Sequence, residues 1–522
     1  MFGQSVVQFG FGFFSRLPIV VEPKNVQVSS DTGILAIRQF DDHVGLSQRF
    51  IACLRDPRRP ELIDHSFDEM VRQRLYGILA GYEDCNDHNT LRGDPVFKLV
   101  ANRAPRAPDL AGQSTLSRFE NTIDIPSLYR LHDFFIEDFI GSFSEPPSRL
   151  TLDLDAVDDP CHGDQQLALF HGFYEQHQYL PLVISCAQTQ QILWPALRHG
   201  RVHAALGADE DLEYVVTRLR RAWPDVVIDV RADAGFGMPW MYAVCERLGL
   251  DYTFGLSANK VLQRAAEPLM ARAVEHFAAP ENQGRPVRFF ESFLYRAGTW
   301  KNARRVIAKG ECNRLGTNLR FVVTNRPGAA VLPQATYDEY VGRGESENRN
   351  KELKTELAGD RLSCHRFVAN YFRFLLHAAA LNLLVRLRNV VADPPALTQE
   401  IPDRSAATEG LQEPAGEALP ENMEADPPNG KRRVPVADPS LPVETLTGRE
   451  RRRYHNFRAQ QDPLGQGHIQ TWRTLLIKVA GEVQQSARRI RILIPAHWPH
   501  LAWLRHVCRR LAEFCGSTQV VT

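Results

Sequence analysis

Arg149–Val157, which reads RLTLDLDAV, is the stretch that decides the fold class. It is a short, nearly continuous apolar run that is interrupted by Asp153 and Asp155 and followed by the acidic pair Asp158 and Asp159. A short apolar run that ends in turn-forming residues predicts a buried β-strand. We therefore expect a strand that carries a carboxylate to the edge of a sheet.

Strand and helix patterns alternate after this first strand. QLALFHGFYEQH and YLPLVISCA each predict a strand, and residues 188–223 predict one or two helices. DVVIDVRADAGFG predicts a strand that ends at Asp233 beside a glycine-flanked turn, and a helix and the strand DYTFGLS follow. The order of three strands, helix, strand, helix, strand fits an α/β fold with a ribonuclease-H-like mixed sheet.

The rest of the chain divides by composition and periodicity into regions around this core. Residues 392–442 are rich in Pro, Glu, Ala and Asp and lack aromatic residues, which predicts a disordered linker. The predicted regions are a mainly helical N-terminal domain with possible DNA binding (1–148), the first part of the core (149–258), a β-strand insertion (259–333), core helices (334–391), the linker (392–442) and a basic helical C-terminal region (443–522).

Composition narrows the class of protein. With 522 residues, 43% hydrophobic and 24% charged, the chain has the balance of a soluble globular protein. Its formal net charge is zero, so any nucleic-acid surface must come from local clustering of basic residues. Nine scattered cysteines without a CxxC pair argue against a zinc ribbon and predict reduced thiols in the cytoplasm. We expect neither a signal peptide nor a membrane span.

Tyr340–Lys354, which reads YVGRGESENRNKELK, carries a second pattern. Tyr340, Arg343, Glu347 and Lys354 are spaced at offsets of 0, 3, 7 and 14. At roughly 100° per residue, these four side chains would share one face of an α-helix. Most charge runs are solvated helix faces, but this face combines an aromatic ring and a carboxylate with two cations that could hold phosphates.

The acidic residues combine into a candidate metal site. In a ribonuclease-H-like sheet the fourth strand lies beside the first, so Asp155 and Asp233 would meet at neighbouring strand ends. Two carboxylates at such a short distance repel each other, and a divalent cation holds them together most readily. Glu347, from a helix above, would be the third ligand, and two Mg²⁺ ions there could activate a water or a 3′-hydroxyl. Asp153 could replace Asp155, because residues two apart share one face of a strand.

These motifs resemble those of insertion-sequence transposases of the DDE class, in the subgroup with a Y-(2)-R-(3)-E-(6)-K signature. Tyr340, Arg343, Glu347 and Lys354 match that signature without a gap. LTLDLDAVDDPCHG resembles the first-aspartate motif of the family, although Val157 stands where the family has a hydroxyl residue. RADAGFG resembles the second-aspartate motif.

The resemblance implies a transposase that cuts DNA at the inverted repeats of a mobile element and transfers the ends into target DNA. It implies a ribonuclease-H-like core with a β insertion, dependence on Mg²⁺ (for which Mn²⁺ could substitute) and a homodimer acting on paired ends of double-stranded DNA. It also implies Arg343 and Lys354 as phosphate contacts, Tyr340 as a contact to the DNA end, and a cytoplasmic, nucleoid-associated enzyme of a bacterium.

A third group of residues is a candidate DNA contact in the predicted β insertion. Trp300, beside Arg304 and Arg305, could stack on an unpaired base at a cleaved end. A hydrophobic plug within the insertion is the competing interpretation of this tryptophan.

Two other functions fit parts of the sequence. LTLDLDAV also resembles the first strand of haloacid-dehalogenase-like phosphotransferases, in which Asp153 would be the nucleophile and Asp155 the acid. RADAGFG lacks the second acid that such an enzyme needs, and Glu347 would have no role there. A non-catalytic DNA-binding protein with a ribonuclease-H-like core is the other alternative, and the presence of all three acids argues against it.

Overall fold

The computed structural model describes residues 9–11, 17, 19–282, 285–328, 331–392, 464–465 and 467–516. The predicted linker lies outside the described residues, apart from Ala392. The strands are β1 (Phe9–Phe11), β2 (Ile19–Val21), β3 (Val28–Ser29), β4 (Arg149–Ala156), β5 (Asp159–Pro160), β6 (Leu169–His171), β7 (Gln176–Tyr179), β8 (Leu182–Cys186), β9 (Ile192–Ala196), β10 (Val227–Ala232), β11 (Asp251–Leu256), β12 (Val287–Tyr295), β13 (Arg304–Asn313), β14 (Gly316–Thr324), β15 (Gly481–Gln485) and β16 (Ile490–Leu493).

The helices are numbered in chain order in the same way. They are α1 (Ile34–Val44), α2 (Leu46–Ala52), α3 (Phe67–Ala80), α4 (His88–Leu91), α5 (Pro95–Val100), α6 (Gln113–Thr122), α7 (Ile125–Ile140), α8 (Ala208–Ala222), α9 (Pro239–Arg247), α10 (Lys260–Ala265), α11 (Glu267–Ala278), α12 (Pro333–Val341), α13 (Gly344–Lys351), α14 (Phe367–Val391), α15 (Ile469–Trp472) and α16 (Leu501–Phe514).

A mixed sheet of eight strands lies at the centre of the molecule, which confirms the predicted α/β class. Its order is β12-β13-β14-β11-β10-β4-β8-β9. β4 pairs in parallel with β10 and antiparallel with β8, and β10 pairs in parallel with β11. The register places Leu154 opposite Ala232. The next residue on each chain is an aspartate, so Asp155 and Asp233 come at matching positions where two neighbouring parallel strands end.

Alternation of side chains along the strands builds a core on each side of the sheet. On β8, Leu182 and Ile184 belong to the hydrophobic cluster that includes α8 and α9, whereas Val183 belongs to the cluster that includes α14. Successive side chains of a strand point to opposite faces, so each apolar strand can fill two cores. The sheet is therefore held between two helical layers.

Helix α14 is the central helix of the larger core. Over the described residues it is the one helix long and apolar enough to cross a membrane, and 83% of its most apolar window is buried inside the protein. It packs against α3, α6, α7 and the edge strand β9. The sequence predicts a buried helix here, and its burial in this core confirms that prediction.

Strand β9 corrects the prediction that residues 188–223 are helical throughout. Ile192–Ala196 is a short apolar run of the kind that periodicity alone cannot assign to strand or helix. It pairs antiparallel with β8, and the Asn382 side chain on α14 bonds both backbone groups of Ile192 at 2.8 Å. Within the described residues, QLALFHGFYEQH forms β6 and β7 of a small separate sheet rather than a strand of the central one.

Two other regions also differ from their predicted structure. The predicted β insertion begins with helices α10 and α11, and its three strands extend the central sheet because β14 pairs with β11. The predicted helical C-terminal region contains the hairpin β15–β16 between its helices. β15 pairs with β3 from the other end of the chain, a partner that local periodicity could not reveal.

Candidate active site

Asp155 and Asp233 lie together at the edge of the central sheet. Asp155 is near the end of β4, and Asp233 follows directly after β10. The Asp233 carboxylate accepts the backbone N–H of Gly235 at 2.8 Å, which holds it at the start of a tight turn. The two strands are parallel neighbours, so the sheet itself brings together two carboxylates that are far apart in sequence.

The surroundings of Asp155 favour its neutral form. Burial, together with the charges of Asp233 and Glu347, raises the pKa of Asp155 from 3.8 to about 6, although the Arg343 guanidinium opposes this shift. The Asn350 side-chain amide donates to its carboxylate at 2.8 Å, and an Arg343 nitrogen lies 3.5 Å from it. A raised pKa at a buried carboxylate that faces two others is typical of a functional site.

The helix that was predicted to carry the signature is interrupted. Tyr340 lies on α12, which ends at Val341, and Glu347 lies on α13, which begins at Gly344. Arg343 is at the junction, and its guanidinium donates to Glu347 at 2.7 Å. The Glu347 side chain is 62% exposed, whereas that of Arg343 is 14% exposed. The interruption still leaves Arg343 between the carboxylates of Glu347 and Asp155.

Lys354 also lies near the acidic residues, but it does not lie on the predicted face of one continuous helix. It lies in a single π-helical turn, Glu352–Glu356, which shifts the direction of its side chain from that of an ideal α-helix. Its ammonium group bonds the Asp158 carboxylate at 2.8 Å, three residues beyond Asp155. The assumption of one continuous helical face was wrong, because a break and a π turn separate the four residues.

Asp153 is committed to a different interaction. The Arg231 guanidinium, on β10, binds both of its carboxylate oxygens at 2.7 and 2.8 Å, and Asp153 is 2% exposed. Bidentate Arg–carboxylate pairs are strong, so Asp153 would have to break this pair before it could bind a metal ion or act as a nucleophile. This pairing favours Asp155 over Asp153 as the first metal ligand, and it occupies the carboxylate that would attack in the phosphotransferase alternative.

The three candidate DNA contacts near the insertion are occupied within the protein. Trp300 is 7% exposed, and its ring packs edge-on against Tyr242 with centroids 5.2 Å apart. Arg304 is 8% exposed and binds both carboxylate oxygens of Glu246 at 2.7 and 3.0 Å. Arg305 donates to backbone carbonyls at 2.9 and 3.2 Å. These contacts within the protein favour the competing interpretation of Trp300 as a hydrophobic plug, and DNA contact by the three residues stays a prediction.

A cavity of about 870 Å³ opens beside the carboxylates. Asp233, Tyr340 and Arg343 line it, together with the basic residues Lys309 and Arg320. It is also lined by His171 at the end of β6 and by Phe173 and Tyr174 from the turn between β6 and β7. Sequence reasoning did not single out this turn, nor Asn350. The signal for Asn350 was its position three residues after Glu347, on the same helix face.

The chemistry of the carboxylate donors fits a divalent metal ion. Asp155, Asp233 and Glu347 are oxygen ligands of the kind that hard cations prefer, and their mutual repulsion is at present balanced by Arg343. The described residues hold one tighter group of possible ligands, Glu352, Glu356 and His468. The Glu352 carboxylate there is buried against the guanidinium groups of Arg388 and Arg349, which already neutralise it.

The donor set and the cations beside it are suited to an enzyme that acts on phosphodiesters with a divalent metal ion. Residues 11–402 match the profile of the family described as transposase DDE domain group 1. Because the match covers well over half of the sequence, the chain belongs to this family. The protein is therefore a DNA transposase, an enzyme that cleaves and rejoins DNA and depends on divalent metal ions.

Two further comparisons accompany the family match. A search of solved structures finds similarity to the piggyBac transposase in a synaptic complex with hairpin DNA, solved by cryo-electron microscopy. The identity is 12%, the alignment covers 69% of this chain and 75% of that chain, and the TM-score is 0.37. No curated protein matches the chain. The family profile alone therefore carries the assignment.

Proposed function

We propose that this transposase uses Asp155, Asp233 and Glu347 to hold Mg²⁺, cuts DNA at terminal inverted repeats and joins the freed 3′-hydroxyl ends to target DNA. The observation that carries the proposal is the matched position of Asp155 and Asp233 at the ends of neighbouring parallel strands, with Glu347 on a helix close enough to raise the pKa of Asp155. The haloacid-dehalogenase alternative has no comparable support.

We also propose that the core is ribonuclease-H-like. Five strands of the central sheet, in the order β9-β8-β4-β10-β11, support this assignment. Numbered along the chain, the fourth of them lies beside the first, and the first three are antiparallel while the last two are parallel. This arrangement is the one in which the two aspartate-bearing strands become neighbours.

The chain's own residues have separable roles in the proposed reaction. A divalent metal ion, when bound, supplies activation of the attacking water or 3′-hydroxyl and stabilisation of the leaving oxygen. Asn350 and Ser346 orient the Asp155 carboxylate through their side chains. The positive charge of Arg343 offsets the negative charges of the acidic residues when DNA is absent. When DNA is present, its guanidinium N–H groups can instead donate to a phosphate.

The residues near the three carboxylates are also the proposed contacts to DNA. We assign Arg343 and Lys354 to phosphates, because both are cations beside the carboxylates, and Tyr340 to the DNA end, because its ring lines the cavity. A homodimer on paired ends, in the nucleoid of a bacterial cytoplasm, is the setting that the family resemblance implies. Lys354 is bound to Asp158 in the free protein, so it would exchange that carboxylate for a phosphate.

The test is Mg²⁺-dependent cleavage of a duplex oligonucleotide that carries the inverted repeat found beside the gene. Asp233→Asn should reduce cleavage by more than about 100-fold, since loss of the residues that merely support metal ligands already costs 10- to 100-fold. Binding of the same duplex without divalent ions should be kept. Asp225→Asn is the matched control, because Asp225 is exposed and precedes the opposite end of β10. Cleavage by the Asp233 variant at the control rate would refute the assignment.

A further inference from the structure

The turn between β6 and β7 presents aromatic rings at the mouth of the active-site cavity. Phe173 is 83% exposed and Tyr174 is 37% exposed, and both line the cavity that contains Asp233 and Arg343. The Tyr174 ring meets the rings of Phe173 and His171 edge-on, each with centroids 5.0 Å apart. Large apolar side chains that face water in a functional cavity are often contact sites for a ligand.

The base of this hairpin is anchored against the body of the protein. A Cβ atom added to Gly200 would lie 1.9 Å from the Gln178 carbonyl oxygen and 2.3 Å from that of Leu169, so only glycine lets the chains approach. The Tyr179 hydroxyl donates to the Gln166 carbonyl at 2.8 Å. The hairpin is thereby fixed at its base while its tip projects into the cavity.

The tip itself has a defined shape. The Glu175 N–H donates to the His171 carbonyl at 2.8 Å, and the Phe173 N–H donates to Nδ1 of His171 at 3.2 Å. These bonds close the turn and hold the Phe173 and Tyr174 rings next to each other. A rigid aromatic surface loses little conformational entropy when it binds a flat ligand.

The charges around the tip identify the kind of ligand. Tyr174 is close enough to the acidic residues that burial and the charges of Asp158, Asp233 and Asp155 raise its pKa. Arg343, Lys309 and Arg320 line the same cavity. Cations for phosphate oxygens and exposed rings for flat apolar faces are together the two features that bind single-stranded nucleic acid.

We propose that Phe173 and Tyr174 stack on a base of the DNA strand whose phosphate is cleaved at Asp155 and Asp233. This inference rests on the proposed function, because it takes the cavity to hold the scissile strand. It assigns to the β6–β7 turn a part in positioning the DNA, for which Phe173 is exposed whereas Trp300 is buried.

The test combines a substitution in the protein with the removal of one base from the DNA substrate. The substrate is the inverted-repeat duplex in two forms, one intact and one with an abasic site at a single position next to the cleavage point, moved one nucleotide at a time. Phe173→Ala should weaken cleavage of the intact duplex about 10-fold, the usual effect of losing one stacked base. At one position the abasic duplex should be cut equally by the wild type and by Phe173→Ala, because the stacking partner is already missing.

Two control variants separate this effect from misfolding and from failure of the proposed function. Phe170→Ala should keep wild-type cleavage, since Phe170 is 45% exposed on the same hairpin but is not among the cavity residues. Phe173→Trp, which restores a flat ring, should rescue the cleavage that Phe173→Ala loses. Additive losses at every abasic position, or unchanged cleavage of the intact duplex by Phe173→Ala, would overturn the stacking proposal while leaving the carboxylate assignment intact. A wild type without Mg²⁺-dependent cleavage would overturn both.

Discussion

Asp153 and Asp155 are two like residues on one face of β4 that lie in different surroundings. Both point away from the core that Leu152 and Leu154 fill, as residues two apart on a strand must. Asp153 forms an ion pair with Arg231, which lies 78 residues later in the sequence. Asp155 instead lies close to the negative charges of Asp233 and Glu347 at the edge of the cavity. The sequence left this choice open because the deciding partners are remote along the chain.

We predict that Asp155→Asn stabilises the metal-free protein at pH 8 by roughly 1–2 kcal/mol, even as it abolishes cleavage. The folded-state pKa of Asp155 is raised from 3.8 to about 6, so folding favours the protonated form. Stability from this group is complete below pH 3.8 and lost as the pH rises through about 6. The gain from the amide should therefore be present at pH 8 and nearly absent at about pH 3, as measured by urea unfolding.

Asp153→Asn is the matched variant for this experiment. It leaves the buried Arg231 guanidinium with half of its bidentate partner and no counter-charge, which should lower the free energy of unfolding by about 3–5 kcal/mol. If Asp153→Asn were the stabilising change and Asp155→Asn the destabilising one, the two aspartates would have been assigned in the wrong order.

At the scale of the element, the region that carries the signature is three pieces rather than one helix. α12 ends before Arg343, α13 carries Glu347, and a π turn carries Lys354. The π turn is fixed by Glu352, whose buried carboxylate binds Arg388 on α14 and the backbone N–H of Ile469 at 2.7 Å. Long-range ion pairing therefore sets the direction of Lys354, and the spacing of the signature alone does not.

We predict that Lys354→Ala reduces cleavage about 10- to 100-fold, because it removes a cation held beside the acidic site. Lys351→Ala, on the exposed side of α13, should change the rate by less than about 2-fold, which is the scale of a surface change away from such a site. Single-turnover cleavage of the inverted-repeat duplex distinguishes the two. A larger loss at Lys351 would contradict this arrangement of the helix.

At the scale of the whole molecule, the C-terminal segment returns to the N-terminal helices. The Arg473 guanidinium donates to the carbonyls of Ile78, Leu79 and Glu356, each at 2.9 Å. The hairpin β15–β16 then extends the small sheet that begins with β3 and exposes Arg488, Arg489 and Arg491 near its turn. This cluster is a local concentration of positive charge on a chain whose net charge is zero.

We predict that this arginine cluster contacts the DNA backbone. Replacing Arg488, Arg489 and Arg491 together by Gln should lower the slope of log affinity against log salt by about 2–3, since each phosphate contact contributes about 0.9. Fluorescence anisotropy of a labelled inverted-repeat duplex, measured from 50 to about 200 mM salt, gives that slope. Arg247→Gln is the control, because Arg247 is exposed but already paired with Glu213. Equal slopes for the triple variant and the wild type would refute this contact.

The sequence by itself determined the features that depend on neighbouring residues. The apolar runs of β4 and β10, the acids at their ends, the buried helix α14 and the spacing of the signature were all readable, and they were sufficient to predict the family. Short-range periodicity encodes these features because a strand or helix repeats within a few residues.

Only the tertiary structure decided features whose partners lie far away in the sequence. Asn382 holds Ile192 in an edge strand, Tyr242 covers Trp300, and Arg231 forms an ion pair with Asp153. The aromatic turn at Phe173 became visible as a lining of the cavity beside Asp233 only once the chain was folded. Each of these outcomes is set by packing and ion pairing between remote segments, which composition and spacing do not record.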